Sequence, residues 1–149
     1  MTVANSISLR GRSILITGGS RGLGSEMAQA LVEAGADVMI SGRRHSSALS
    51  NTYNKLKKIA KGLEGKPKIY KCVANLTDNH ACETLVLNAI KSFGKLDVLI
   101  NNAGGAPLAD SISASPKFHQ AIIDLNLMAP LNLSQKVAKV MMRHRQSSI

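Results

Sequence analysis

Thr17-Gly18-Gly19-Ser20-Arg21-Gly22-Leu23-Gly24 is the run that most restricts what this chain can become. It follows Ile14-Leu15-Ile16, a short apolar stretch that reads as a buried strand. Apolar residues at helical spacing come next, Leu23, Met27, Ala30, Leu31 and Ala34, and Gly35 closes that helix. Glycines are needed where the backbone takes a positive φ or must approach a ligand closely. A helix N-terminus behind such a turn offers free N–H groups and a positive dipole end to phosphate. The spacing Gly-x-x-x-Gly-x-Gly differs from the Gly-x-Gly-x-x-Gly of the usual dinucleotide fold. It also lacks the Lys-Ser/Thr of a P-loop. Tight βα turns use glycine for sterics alone as well, but a strand before and a helix after favour the phosphate reading.

Three further strand–helix units follow. Val38-Met39-Ile40 reads as a second strand, ending at Ser41-Gly42. Residues 46–62 read as a helix with Leu49, Tyr53, Leu56, Ile59, Ala60 and Leu63 along one face, stopped by Gly65 and Pro67. The spacing predicts a third strand over 68–73 and, capped by Thr77, a helix over 78–93 with Leu85 and Ala89 inward. A fourth strand over 96–100 enters Asn101-Asn102-Ala103-Gly104-Gly105. A helical region over 116–145 then follows, with an adjustment around 126–130. Strand and helix alternating in this way predict an α/β fold, a parallel sheet flanked by helices, in one domain over 1–149.

Composition excludes several classes. At 44% hydrophobic and 19% charged the chain is not disordered. No apolar run approaches the ~18 residues of a membrane helix, and residues 1–10 lack the apolar core of a signal peptide. A cytoplasmic protein without a membrane segment is the expectation. Cys72 and Cys82 are too few for a disulfide framework, match no metal-ligand spacing, and read as small buried apolars. The histidines, His45, His80, His119 and His144, suggest no ligand set, so no metal is expected. Between Ser41 and Cys72 nine basic residues face one acid, Glu64, which places +8 of the net +10 there. That patch can steer an anionic ligand. With Tyr53 and Tyr70 the only aromatics nearby, it reads as a solvated face rather than a nucleic-acid surface.

The glycine turn, Asn101-Asn102-Ala103-Gly104 at the end of the fourth strand, and Asp124-Leu125-Asn126 beyond it together resemble the short-chain dehydrogenase/reductases. The resemblance covers nearly the whole chain. It implies a Rossmann-like, doubly wound parallel sheet of strand order 3-2-1-4-5-6, here truncated after the fourth strand and its following helix. It implies further that Gly18, Ser20, Arg21, Gly22, Leu23 and Gly24 bind NAD(H) or NADP(H). Ser41, Arg43, Asn75, Leu76, Asn102, Ala103 and Gly104 would join them from the other strand ends. The family's third strand usually ends in aspartate; Asn75 stands there and can still both donate and accept.

No carboxylate ends the second strand to hold a ribose 2′-hydroxyl, since Asp37 lies at its other end. Ser41-Gly42-Arg43-Arg44 stands there instead, and arginine suits phosphate recognition. With Arg21 inside the glycine turn, NADP is favoured over NAD.

The family reduces carbonyls or oxidises alcohols with a tyrosine, a lysine four residues on, a serine and an asparagine. Asn126 matches the asparagine, whose family role is proton relay; its other reading is a helix kink. Tyr53-x-x-x-Lys57 matches the pair literally but precedes the fourth strand, so it is set aside as structural. The chain stops at Ser147-Ser148-Ile149, where a fifth strand would begin. The expectation is the cofactor-binding part of an NADP-dependent oxidoreductase for a small carbonyl or alcohol substrate, inactive alone and homo-oligomeric when complete. A non-catalytic dinucleotide module and a non-functional truncated relative are the alternatives.

Overall fold

In β1 (Ser13–Ile16) all four residues are buried, so both faces of this strand must be covered. The period-two alternation of a strand sends Ile14 and Ile16 into one apolar cluster and Leu15 into another. A computed structural model, describing residues 8–110 and 112–146, shows how the two clusters are built. The chain runs β1, α1 (Gly22–Glu33), β2 (Asp37–Gly42), α2 (Ser47–Lys61), β3 (Ile69–Val73), α3 (Asn79–Phe93) and β4 (Val98–Ile100). Then come α4 (Pro116–Ile123), a π turn over Asp124–Met128, and α5 (Ala129–Gln146).

The sheet is parallel with strand order β3-β2-β1-β4, as the doubly wound reading expects. Ile14 pairs with both Val38 and Val98, which makes β1 the centre of the register. On one face Ile14, Ile16, Val38 and Ile40 meet Ala28 and Val32 of α1 and Leu49 and Leu56 of α2. On the other, Leu15 and Met39 meet Leu85 and Val86 of α3 and Leu133 and Val137 of α5. Fully burying a side chain of this kind is worth about 1.5–3 kcal/mol, so two stacked cores hold the sheet between them. No helix among the described residues is long and apolar enough to cross a membrane.

Several local expectations shift. The buried stripe of α1 is Gly24, Ser25, Ala28 and Val32, one position away from the predicted one, and Leu23 is 70% exposed. Asp78, not Thr77, caps α3 by accepting from the amides of His80 and Ala81. A carboxylate there also complements the helix dipole, which a threonine hydroxyl does not. β3 and β4 begin at Ile69 and Val98, later than predicted, and Asp37 is the first residue of β2 rather than preceding it. The helical adjustment falls at 124–128 as a π turn. Cys82 is buried, whereas Cys72 is only half-buried. The expected start of a fifth strand at 147–149 lies outside the described residues.

The lower ends of β1 and β4 are clasped by one carboxylate. Asp97 Oδ2 accepts from the Ser13 N–H at 2.8 Å and the Ser13 hydroxyl at 2.9 Å. Lys95 lies 3.0 Å from the same oxygen, and Arg12 3.6 Å from the other. Burial pushes the Asp97 carboxyl up, but the Ser13 N–H, Lys95 and the Ser13 hydroxyl together outweigh it and hold the pKa below its ordinary 3.8. A depressed carboxyl contributes stability at pH above the ordinary value, and loses it as pH falls through the folded-state pKa. Asp97→Ala is therefore expected to lower the unfolding free energy in urea at pH 7 by about 1–3 kcal/mol. The gap between variant and parent should narrow as pH falls below 3.8 toward the folded-state pKa; a gap that does not narrow would show that the charge plays no part.

Candidate cofactor cleft

β1 delivers the chain into a turn that only glycine permits at its tightest points. Gly18 has φ +67, and a Cβ there would stand 2.9 Å from the Ala103 Cα. At Gly24 an added Cβ would run into the Gly18 carbonyl oxygen and the Asn102 side-chain amide. The turn is thus pressed against the end of β4, and hydrogen bonds fasten it there. The buried Thr17 hydroxyl oxygen accepts from the amides of Asn102 at 3.1 Å and Ala103 at 3.0 Å. Asn102 returns its side-chain Nδ2–H to the carbonyls of Thr17 at 2.9 Å and Gly18 at 3.2 Å. On the other side the Gly19 N–H donates to the Ser41 carbonyl at 3.0 Å, which draws β2 against the same turn.

Above these strand ends lies a cleft of about 470 Å³. Every cofactor residue expected from the sequence lines it: Gly18 and Ser20 to Gly24, Ser41 and Arg43, Asn75 and Leu76, Asn102 to Gly104. Gly42, Ala74 and Leu125 line it too, residues that the motifs themselves do not single out. A second lobe of about 500 Å³ continues past Arg43 to Arg44, Ser46 and Ala48 on one side and to Gly105, Ala106 and Pro107 on the other.

The donor set suits an anion. The first-turn N–H groups of a helix have no intrahelical acceptor, and those of α1 belong to cleft-lining residues. Arg21 at the cap makes no side-chain cap hydrogen bond, and no acid stands in the first turn. Among the described residues no carboxylate lies within ion-pair distance of Arg21, Arg43 or Arg44. Asn75 is exposed at the rim; its Oδ1 accepts from the Thr77 hydroxyl at 3.1 Å, and its backbone carbonyl from the Asp78 N–H.

Asn126 sits in the π turn, where its side chain clasps the loop after β4. Its Oδ1 accepts from the Gly105 N–H at 2.9 Å, and its Nδ2 donates to the carbonyls of Gly105 at 3.0 Å and Ile122 at 2.9 Å. The literal Tyr53-x-x-x-Lys57 pair lies on α2, apart from the cleft lining. There Lys57 and Lys71 hold their ammonium groups 5.5 and 4.9 Å from the Tyr53 ring centre. Among the described residues no group of three or more His, Cys, Asp or Glu is placed to hold a metal ion.

The family model for short chain dehydrogenase matches residues 12–149. A 3-oxoacyl-(acyl-carrier-protein) reductase of Thermotoga maritima is 33% identical over 141 residues, covering 95% of this chain and 54% of that protein. A solved short-chain type dehydrogenase/reductase from Mycobacterium marinum superposes with a TM-score of 0.85 at 26% identity, over 97% of this chain and 56% of that one. A short chain dehydrogenase from Burkholderia cenocepacia, solved with NADP, gives a TM-score of 0.81 at 27% identity, over 89% and 52%. The chain spans about half the length of the curated relatives it matches.

Thr17 is the member of this arrangement that the sequence reading took only as a turn residue. Thr17→Val keeps its shape but leaves the Ala103 amide without its acceptor and the Asn102 amide with only the Ile100 carbonyl at 3.1 Å, so stability is expected to fall by about 1–3 kcal/mol. Amide exchange at Asn102 and Ala103 should rise with it; unchanged protection at both would show that the hydroxyl is not what binds β4 to the turn.

Proposed function

Since this chain belongs to the short-chain dehydrogenase family, we propose that it carries the cofactor side of an NADP-dependent oxidoreductase acting on a small carbonyl or alcohol. The observation that supports this reading is the convergence, at one cleft, of an unsatisfied helix N-terminus with Arg21 and Arg43. Dinucleotides bind in α/β sheets outside the carboxyl ends of the strands, where connections leave to opposite faces. The first-turn amides of α1 would take the pyrophosphate. Arg21 and Arg43 would take the 2′-phosphate, for which guanidinium geometry is well matched. Leu76 and Asn75 would flank the adenine, and Ala103 and Gly104 the nicotinamide half. NADPH, when bound, supplies the hydride.

Proton donation to the developing alkoxide needs a group beside the carbonyl oxygen. The sole Tyr-x-x-x-Lys of these 149 residues is Tyr53 with Lys57, whose lysine sits over the tyrosine ring on α2. We therefore propose that these residues alone bind cofactor without turnover, and that Asn126 relays a proton only within the complete enzyme. Ile123, Leu127, Met128 and Leu131 stand 40–60% exposed on α4, the π turn and α5, a face suited to association in that enzyme.

Calorimetric titration tests the cofactor reading. NADPH is expected to bind more tightly than NADH, and Arg43→Ala to reduce that preference about tenfold, equivalent to about 1.4 kcal/mol. Equal or tighter NADH binding by the parent overturns the NADP assignment. Oxidation of NADPH in the presence of a carbonyl substrate would refute the proposal that this chain lacks a proton donor.

A further inference from the structure

The buried stripe of α2 is Leu49, Thr52, Leu56 and Ala60, and one of these four is polar. A hydroxyl removed from water is costly unless it is paired. In helices a threonine commonly pairs its hydroxyl with the carbonyl one turn back. Thr52, only 7% exposed, instead donates across to the carbonyl of Ser20 at 2.9 Å, thirty-two positions away in the sequence. The buried hydroxyl of Ser25, on α1, lies 3.4 Å from the same Thr52 oxygen. Thr52 therefore stands where α1, α2 and the glycine turn meet.

Ser20 is in the middle of that turn and lines both lobes of the cleft. Its carbonyl belongs to the planar peptide that also carries the Arg21 N–H, so fixing one fixes the direction of the other. Arg21 in turn is the extended residue, φ −166° and ψ 172°, from which α1 departs. At the N-terminal end of the same α2, Ser46 and Ala48 line the second lobe beside Arg43 and Arg44. One helix thus borders the arginine end of the cleft and also holds the peptide that starts the phosphate-facing turn.

We infer that Thr52 is a positioning residue for the glycine turn: its hydroxyl orients the Ser20–Arg21 peptide and so sets the turn's grip on a dinucleotide pyrophosphate. The inference rests on the cofactor reading above and extends it to a side chain that does not line the cleft.

Thr52→Val, close in shape and without the hydroxyl, and Thr52→Ser, which keeps it, are the variants. Each is titrated with NADPH and with adenosine 2′-monophosphate, which has no pyrophosphate. Its 2′-phosphate would be held by the long side chains of Arg21 and Arg43, which can adjust to a turned backbone where a peptide N–H cannot. Thr52→Val is expected to weaken NADPH about tenfold and adenosine 2′-monophosphate less than twofold, with Thr52→Ser within twofold of the parent for both. Equal losses for the two ligands in Thr52→Val would overturn the inference, since general loosening of α2 acts on both. So would unaltered NADPH affinity in Thr52→Val, or a Thr52→Ser variant as impaired as Thr52→Val. If Thr52→Val does not fold, Thr52→Ser decides alone, and a loss confined to NADPH greater than threefold counts against the hydroxyl's role. Failure of the parent to bind NADPH overturns the cofactor reading itself, and this inference with it.

Discussion

The junction of β1 with β4 through the Thr17 hydroxyl is the interaction on which the rest of the site depends. Parallel strands whose following helices leave to opposite faces separate beyond the sheet, and the gap between them is the crevice that ligands enter. Here β1 leads to α1 on one face, while the chain after β4 leads to α5 on the other. Left to itself that divergence would expose the last amides of both strands. Thr17 meets it by accepting from Asn102 and Ala103, and Asn102 closes the loop by donating to Thr17 and Gly18. Each such bond contributes about 0.5–1.5 kcal/mol net, but a buried partner left unpaired costs about 1–3 kcal/mol. The arrangement therefore tolerates little drift, and the glycines are spaced to allow the close approach that it imposes.

Charge is distributed to suit the same crevice. Nine of the basic residues lie between Ser41 and Cys72 with Glu64 the only acid among them. The arginines at the cleft have no carboxylate neighbour among the described residues, so their field is not cancelled locally. Such a field concentrates anions near the opening and raises the encounter rate, an effect that salt weakens. The lysines of α2 and β3 are accommodated differently. Lys57 and Lys71 both stand over the ring of Tyr53, whose negative π surface attracts each ammonium group.

What was legible in the sequence was what is local. The glycine turn and the strand–helix alternation follow from turn chemistry and periodicity over a few residues, whereas the sheet order and the cleft lining came through the family resemblance that those local motifs carry. What was not legible depends on partners far along the chain. Tyr53 is half-buried beneath Lys57 as a tyrosine on the apolar side of α2 should be, yet it is Thr52 beside it that is buried. The reason is the carbonyl of Ser20, which gives a threonine hydroxyl a partner inside and which no spacing rule reveals. Asn102 likewise reads as a ligand-facing amide, whereas its Nδ2 donors are committed to the backbone of the turn. Asn126 shows both outcomes: its place at a helical irregularity was foreseen, and its clasp on Gly105 was not.

The two edges of the sheet differ in a way that follows from these details. β3 carries Lys71 within it and is preceded by Lys66 and Lys68, all exposed, and charges of this kind discourage a further strand from pairing. β4, the other outer strand, is Val98-Leu99-Ile100, with no charge of its own. The acid nearest to it, Asp97, is turned inward onto Ser13 and is unavailable to guard the edge. Val98 is 37% exposed, and Leu99 and Ile100 are only partly covered. The carboxylate that clasps β1 to β4 is thus taken from the position where it would have protected the sheet. The β3 edge carries charges that oppose extension and the β4 edge carries none, on the side from which the α4–α5 segment departs.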